Sequence, residues 1–111
     1  MSEADDLDRE LREYYLSLAQ GKVDGLAAAL AGARGDPADP ACIERVRMLV
    51  HKIAGSAGAY GFDALGASAK SLEREILAAA RPISSAVLGA IELFLARMTA
   101  EFAAARAARP R

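Results

Sequence analysis

Apolar side chains recur every three or four residues along nearly the whole chain, and no stretch alternates between apolar and polar residues with a period of two. Such spacing places apolar side chains on one face of a helix. Alanine, the strongest helix former, supplies 27 of the 111 residues, whereas tryptophan is absent. Domains commonly contain about 100 to 150 residues. The sequence therefore predicts one all-α domain over residues 1–111.

Glycine and proline divide the helical pattern into segments. The first segment predicts a helix at about residues 4–18, and the pattern resumes after Gly21. These two segments form either two short helices or one bent helix. Short connections make consecutive helices antiparallel neighbours, so we expect an antiparallel up-and-down four-helix bundle at about residues 20–105, with an additional N-terminal helix. The apolar side of that N-terminal helix consists of Leu7, Leu11, Tyr14, Tyr15 and Leu18.

Capping signals mark the starts of the three later helices. Asp39 precedes Pro40, which is the pattern of an N-cap followed by proline in the first turn, and this helix should run to about Tyr60. Asp63 is the expected cap of the next helix, which spans about residues 64–80. Ser84 or Ser85 is the expected cap of the last helix.

Net charge and residue types exclude several classes of function. Fourteen basic and fifteen acidic residues give a net charge of -1, so the chain lacks the positive field that nucleic-acid binding requires. No apolar run approaches the roughly 20 residues of a membrane span, and the N-terminus is acidic. One cysteine, Cys42, and one histidine cannot form an internal disulfide or a usual zinc site. We therefore expect a cytoplasmic protein that binds no nucleic acid, membrane, metal or cofactor.

The only histidine, His51, should face water. At about 100° per residue, His51 lies roughly 130° from the centre of the apolar stripe of its helix. One turn further along is Gly55, and glycine inside a helix costs about 1 kcal/mol relative to alanine. Because side chains lean toward the helix N-terminus, a glycine here leaves the imidazole unobstructed. The apolar stripe comprises Ile43, Val46, Val50, Ile53, Ala57 and Tyr60, and the opposite face holds Glu44, Arg47, His51, Gly55 and Gly58.

The segment V-H-K-I-A-G-S-A-G-A-Y-G-F, followed by A-L-G-A-S-A-K-S-L-E, resembles the histidine-containing phosphotransfer (Hpt) domain of two-component phosphorelays. The resemblance covers nearly the whole chain. It implies a short N-terminal helix before an up-and-down four-helix bundle. It also implies that His51 accepts a phosphoryl group from a receiver-domain aspartate or a kinase, with Gly55 and Ser56 as the small residues of the motif.

One position departs from the family motif. The lysine that the family often has three residues after the histidine is Ala54 here, and Lys52 instead follows His51 directly. Lys52 lies about 100° round the helix from His51, so it does not simply substitute. The residues that remain to offset a phosphoryl charge are Lys52, Arg47, and the pair Lys70 and Arg74 on the following helix.

Docking contacts for a partner are expected around the same face, at Met48, Tyr15 and Gly58. Each has an alternative interpretation in which it only shapes the fold. Met48 then covers the edge of the bundle, Gly58 permits close helix packing, and Tyr15, with Tyr14, anchors the N-terminal helix.

The resulting functional prediction is a phosphocarrier and not an enzyme. An exposed imidazole, with an ordinary pKa of about 6.5, is mostly neutral at pH 7 and offers a ring-nitrogen lone pair. The sequence around His51 offers no P-loop and no acidic cluster for Mg²⁺, so a partner would supply the metal. The expected partners are the receiver domain of a response regulator, a hybrid histidine kinase, or both. A helical adaptor that binds signalling proteins without being phosphorylated is the alternative, whereas a di-iron bundle would need Glu-x-x-His spacing, which does not occur.

Overall fold

All regular structure within the described residues, 3–108, is helical. The structure is a computed structural model. Five α-helices follow one another along the chain, with one 3₁₀ turn between the third and fourth. Their bounds are α1 Glu3–Ser17, α2 Ala19–Gly35, α3 Pro40–Ser56, the 3₁₀ turn Gly58–Tyr60, α4 Asp63–Ala78 and α5 Ser85–Ala107.

Helices α2 to α5 form the predicted four-helix bundle. Helix α3 packs between α2 and α4, and α5 closes the ring by packing on both α2 and α4. The α3–α4 pair is antiparallel, because Gly66 near the start of α4 lies beside Gly58 after the end of α3, whereas Glu73 further along α4 reaches Arg47 in the middle of α3. The fold class is therefore confirmed.

Helices α1 and α2 are separated by a single residue, Leu18, and not at Gly21, which lies inside α2. The Leu18 N–H donates to the carbonyl of Tyr15 at 3.1 Å, and its own carbonyl accepts from Lys22 at 3.2 Å. The N-terminal segments are thus two helices joined almost without a loop. Glycine at position 21 does not break the helix because its backbone hydrogen bonds continue through it.

The apolar side predicted for α1 is mostly outside the core. Its buried residues are Tyr15 and Leu16, near its C-terminal end, and α1 contacts only α2, the 3₁₀ turn and α5 within the described chain. The remaining residues of the apolar side are therefore largely uncovered. The exposed fractions are 56% for Leu7, 39% for Leu11, 56% for Tyr14 and 43% for Leu18.

Two of the three predicted caps are confirmed. Asp39 accepts a hydrogen bond from the N–H of Ala41, and Ser84 accepts one from that of Val87. The prediction for Asp63 is wrong, because Asp63 is the first residue of α4 and Phe62 precedes it without a side-chain cap. The reason lies in the turn before it: Gly61, with φ of 90°, reverses the chain so that Phe62 enters the core.

The bounds predicted for the two central helices also shift slightly. Helix α3 ends at Ser56, and the residues up to Tyr60 form the 3₁₀ turn rather than a longer α-helix. Helix α4 ends at Ala78, two residues before the predicted end. The predicted stripe of α3 is nevertheless the core stripe: Ile43, Val46, Val50, Ile53 and Ala57 are buried, and Tyr60 is half-buried.

Candidate functional site

His51 projects from the outer face of α3, with 61% of its side chain exposed. Its Nδ1 atom lies 3.0 Å from both carboxylate oxygens of Glu73 on the neighbouring helix α4. The other ring nitrogen, Nε2, makes no hydrogen bond with any residue between 3 and 108. The imidazole is thus held at one nitrogen and open at the other.

Glu73 joins α4 to α3 at this point. Its side chain is only 15% exposed, and besides His51 it accepts a hydrogen bond from Nη1 of Arg47 at 2.9 Å. The hydrogen bond from His51 lowers the pKa of Glu73, and Arg47 lowers it further, although partial burial opposes both. The carboxylate is therefore ionised at neutral pH.

Arg47 is fixed on two sides by acidic residues. Its Nε donates to Glu44 at 2.9 Å and its Nη2 donates to the other Glu44 oxygen, while Nη1 donates to Glu73. Nη2 also approaches the sulfur of Met48 at 3.1 Å. With 20% of its side chain exposed, Arg47 is half-buried between α3 and α4.

This arrangement favours one tautomer of a neutral His51 ring. An ionised carboxylate is only an acceptor, so a neutral imidazole facing Glu73 carries its proton on Nδ1. The lone pair then lies on Nε2, which points away from Glu73. The geometry leaves Nε2 without a hydrogen-bond partner among the described residues and places a carboxylate at Nδ1.

Gly55 lies one turn after His51 on the outer face of α3. A Cβ atom built on Gly55 would meet no side chain and no neighbouring element within 4 Å, so a side chain there would extend into solvent. Gly58 is also exposed but differs, because its Cβ position lies 3.5 Å from the carboxylate of Asp63. Gly58 therefore belongs partly to the junction with α4.

Ser56 and Tyr15 contact each other and not the imidazole of His51. The Ser56 hydroxyl donates to the carbonyl of Lys52 at 2.8 Å and accepts from the hydroxyl of Tyr15 at 3.1 Å. Ser56 also lies about 140° round the helix from His51. Tyr15 is 1% exposed, which leaves almost no surface for docking and favours the alternative, that it anchors α1.

The basic residues predicted to surround a phosphohistidine differ in what they contact. Lys52 and Lys70 are exposed, and neither makes a side-chain hydrogen bond or ion pair within the described part of the chain. Arg74 is exposed and donates to Ser71 at 3.3 Å. Arg47 is linked to the imidazole through Glu73, to which both side chains are hydrogen-bonded.

The motif position that lacks lysine is at the α3–α4 interface. Ala54 is 9% exposed, and its carbonyl oxygen lies 3.9 Å from the Cβ position of Gly66 on α4. A lysine at this position would have to leave the interface to reach water. The small residue is consistent with the close approach of the two helices here.

Glu73 and Glu44 are the site residues that sequence reasoning missed. Glu44 was placed on the His51 face but was given no role, and Glu73 appeared only within the segment that resembles the Hpt domain. No signal within α3 identifies Glu73, because it is 22 residues away and on another helix. The one signal in the sequence is that Glu73 is an acidic residue directly after Leu72, which belongs to the core stripe of α4.

Two further kinds of feature, metal sites and membrane spans, are absent from the described residues. Between residues 3 and 108, no group of three or more histidine, cysteine, aspartate or glutamate side chains is arranged to hold a metal ion. No helix in this range is long and apolar enough to span a bilayer.

Comparison with known proteins gives one match. The family model described as Hpt domain matches residues 10–108, which include α2 to α5, most of α1 and His51. Neither a curated protein nor a solved structure shows significant similarity to the chain.

Proposed function

The chain belongs to the Hpt domain family, and from that premise we propose that His51 is the phosphoryl acceptor of a phosphorelay carrier. Hpt domains are phosphocarriers of two-component systems rather than catalysts. The observation that supports His51 most directly is its geometry: Nδ1 lies against Glu73 and Nε2 is open beside Gly55.

The proposed reaction is a displacement at phosphorus. The Nε2 lone pair attacks the phosphorus atom of an aspartyl phosphate on a receiver domain, the N–P bond forms, and the P–O bond to aspartate breaks. The aspartate carboxylate leaves with the electron pair. Positive charge then develops on the imidazole ring, next to the Glu73 carboxylate, which stabilises it or takes the Nδ1 proton. Reversal of the same step returns the phosphoryl group to another receiver.

The partner supplies the remaining elements of the reaction in this proposal. Phosphoryl transfer depends on metal ions that neutralise developing charge and on in-line geometry, and we assign both to the receiver domain of a response regulator or hybrid histidine kinase. Met48, 41% exposed, and the small residues Gly55 and Gly58 form the surface that such a domain would approach. Lys52 and Lys70 are free to offset the phosphoryl charge on that surface, and Arg74 is less free because it donates to Ser71.

The test is phosphorylation of the whole chain by a labelled, phosphorylated receiver domain and, separately, by phosphoramidate. The unaltered protein should acquire an acid-labile label, because a P–N bond hydrolyses in acid whereas a phosphoserine ester survives. His51→Gln should lose the label completely while keeping the helical circular dichroism and a free energy of unfolding within about 1 kcal/mol of the parent. Lys52→Gln, changed at the adjacent exposed position, is the matched control and should still be labelled.

Two results would contradict this proposal. A label on folded His51→Gln, or an acid-stable label on the parent, would place the phosphoryl group elsewhere. Binding of a receiver domain without any labelling of the parent would favour the helical adaptor instead.

A further inference from the structure

We propose that Arg47 is a positioning residue for the phosphoryl acceptor: it holds Glu73 against Nδ1 of His51 and thereby keeps the reactive lone pair on Nε2. The inference rests on the proposed role of His51 and extends it to a residue outside the histidine motif. Arg47 itself does not contact the ring; it acts through Glu73.

The first argument is the shared carboxylate. Arg47 and His51 are one turn apart on α3, so both reach across the same gap to α4. Both contact the Glu73 carboxylate: Nη1 of Arg47 lies 2.9 Å and Nδ1 of His51 lies 3.0 Å from a carboxylate oxygen. A glutamate has three rotatable side-chain bonds, and on a helix surface these would otherwise let the carboxylate turn toward water. Two donors from the same helix confine it to one position.

The second argument is that Arg47 is itself anchored. Glu44 accepts two hydrogen bonds from the guanidinium, and the sulfur of Met48 lies against it. These contacts hold the guanidinium in place, and with it the Nη1 atom that donates to Glu73. A guanidinium presents several N–H donors in one rigid plane, which allows it to bind two carboxylates at once. Lysine has one ammonium group and lacks this planar geometry.

The third argument concerns charge after transfer. A phosphoryl group on Nε2 brings negative charge close to Glu73, which favours displacement of that carboxylate. Arg47 is the cation in contact with Glu73 on the side away from solvent, and it counters this repulsion. Its place in the site is therefore useful both before and after phosphorylation.

The sole histidine makes the experiment direct, because a protein labelled with ¹⁵N-histidine gives one pair of ring-nitrogen signals. At a pH where the ring is neutral, we expect the unaltered protein to show the Nδ1–H tautomer. In Arg47→Gln, the ratio of Nδ1–H to Nε2–H should fall by about two- to fivefold, the range of an exposed ion pair, and the rate of labelling of His51 should fall by a similar factor. Arg47→Lys should recover part of both losses, since it keeps one donor near Glu73.

Two matched controls separate positioning from general effects of charge or stability. Glu44→Gln removes a carboxylate from Arg47 without touching Glu73, so it should change the tautomer ratio less than Arg47→Gln does. Arg74→Gln removes an arginine that contacts Ser71 and not Glu73, so it should leave the ratio unchanged.

An unchanged or increased Nδ1–H fraction in folded Arg47→Gln would overturn the inference. If Arg47→Gln does not fold, an unchanged ratio in Arg47→Met, which removes every donor, together with a changed ratio in Glu73→Ala would overturn it equally. The tautomer is measured without phosphate, so its outcome is independent of the labelling test. Failure of His51 to accept a phosphoryl group in the parent would refute the proposed function and leave the tautomer measurement interpretable.

Discussion

At the scale of single residues, the proposed chemistry depends on the His51 imidazole and on the absence of a side chain at Gly55. Gly55 is exposed and near the end of a helix, with open space where its Cβ would lie. No neighbouring side chain requires a glycine at this position. Its proposed role is access to His51, because a side chain one turn after the imidazole would lean toward it.

Gly89 in α5 provides a matched control, because it is also helical and exposed, with nothing within 4 Å of its Cβ position. Gly55→Ala and Gly89→Ala should each raise the free energy of unfolding by about 0.5 to 1 kcal/mol, measured by urea denaturation. Gly55→Gln should slow phosphoryl transfer from a receiver domain by roughly tenfold to a hundredfold, whereas Gly89→Gln should not. Equal transfer rates in the two glutamine variants would show that the open space beside His51 is not required.

At the scale of elements, the α3–α4 pair determines which residues meet at the site. Its close approach depends on small residues, and Gly66 is the most constrained of them: a Cβ there would lie 3.3 Å from the backbone nitrogen of Gly58 and 3.7 Å from the Cβ of Ala57. Backbone atoms cannot rotate away as a flexible side chain does. The spacing of the two helices, and with it the contact between Glu73 and His51, is set here.

Gly66→Ala should therefore lower the free energy of unfolding by about 1 to 2 kcal/mol, because the cost of overpacking exceeds the gain in helix propensity. Gly89→Ala, tested in the same urea titration, should have the opposite sign. If Gly66→Ala is stabilising, the two helices are free to separate slightly and their spacing is not fixed by this contact.

At the scale of the whole molecule, a cluster of aromatic rings fastens α1 to one end of the bundle. Tyr15 stacks on Tyr60 with ring centres 4.7 Å apart, and it meets Phe62 and Phe102 at 5.6 and 6.0 Å. These residues come from α1, the 3₁₀ turn, the segment before α4, and α5. At the other end, the N–H of Ile83 donates to the carbonyl of Pro37 at 3.0 Å and joins the two loops there.

Tyr15→Ala should cost about 3 to 5 kcal/mol of folding free energy, as expected for removing a large buried aromatic side chain. Tyr14→Ala, next to it but 56% exposed, should change the folding free energy by no more than about 0.5 kcal/mol. Guanidinium unfolding followed by circular dichroism measures both. Similar costs for the two variants would mean that α1 is not held by the buried ring.

Much of the fold and part of the site follow from local sequence. Helical periodicity predicted the helices and the core stripe of α3, the residues Asp39 and Ser84 predicted two helix starts, and the helical wheel predicted that His51 faces water. These features depend on interactions between residues a few positions apart. A helix has the same angular pattern whatever it packs against.

Tertiary structure alone decided the rest. A helical wheel gives the angle of a side chain about its own helix axis. It does not give the position of that side chain along the axis of a neighbouring helix, so it could not show that Glu73 contacts both Arg47 and His51. The sequence also left open whether Tyr15 frames a docking surface or anchors α1, and the structure buries Tyr15 among aromatic rings. The apolar stripe of α1 had the spacing of a core face, but it is largely uncovered. Local sequence determined two of the helix starts and the face to which His51 points, and packing between helices determined which side chains meet.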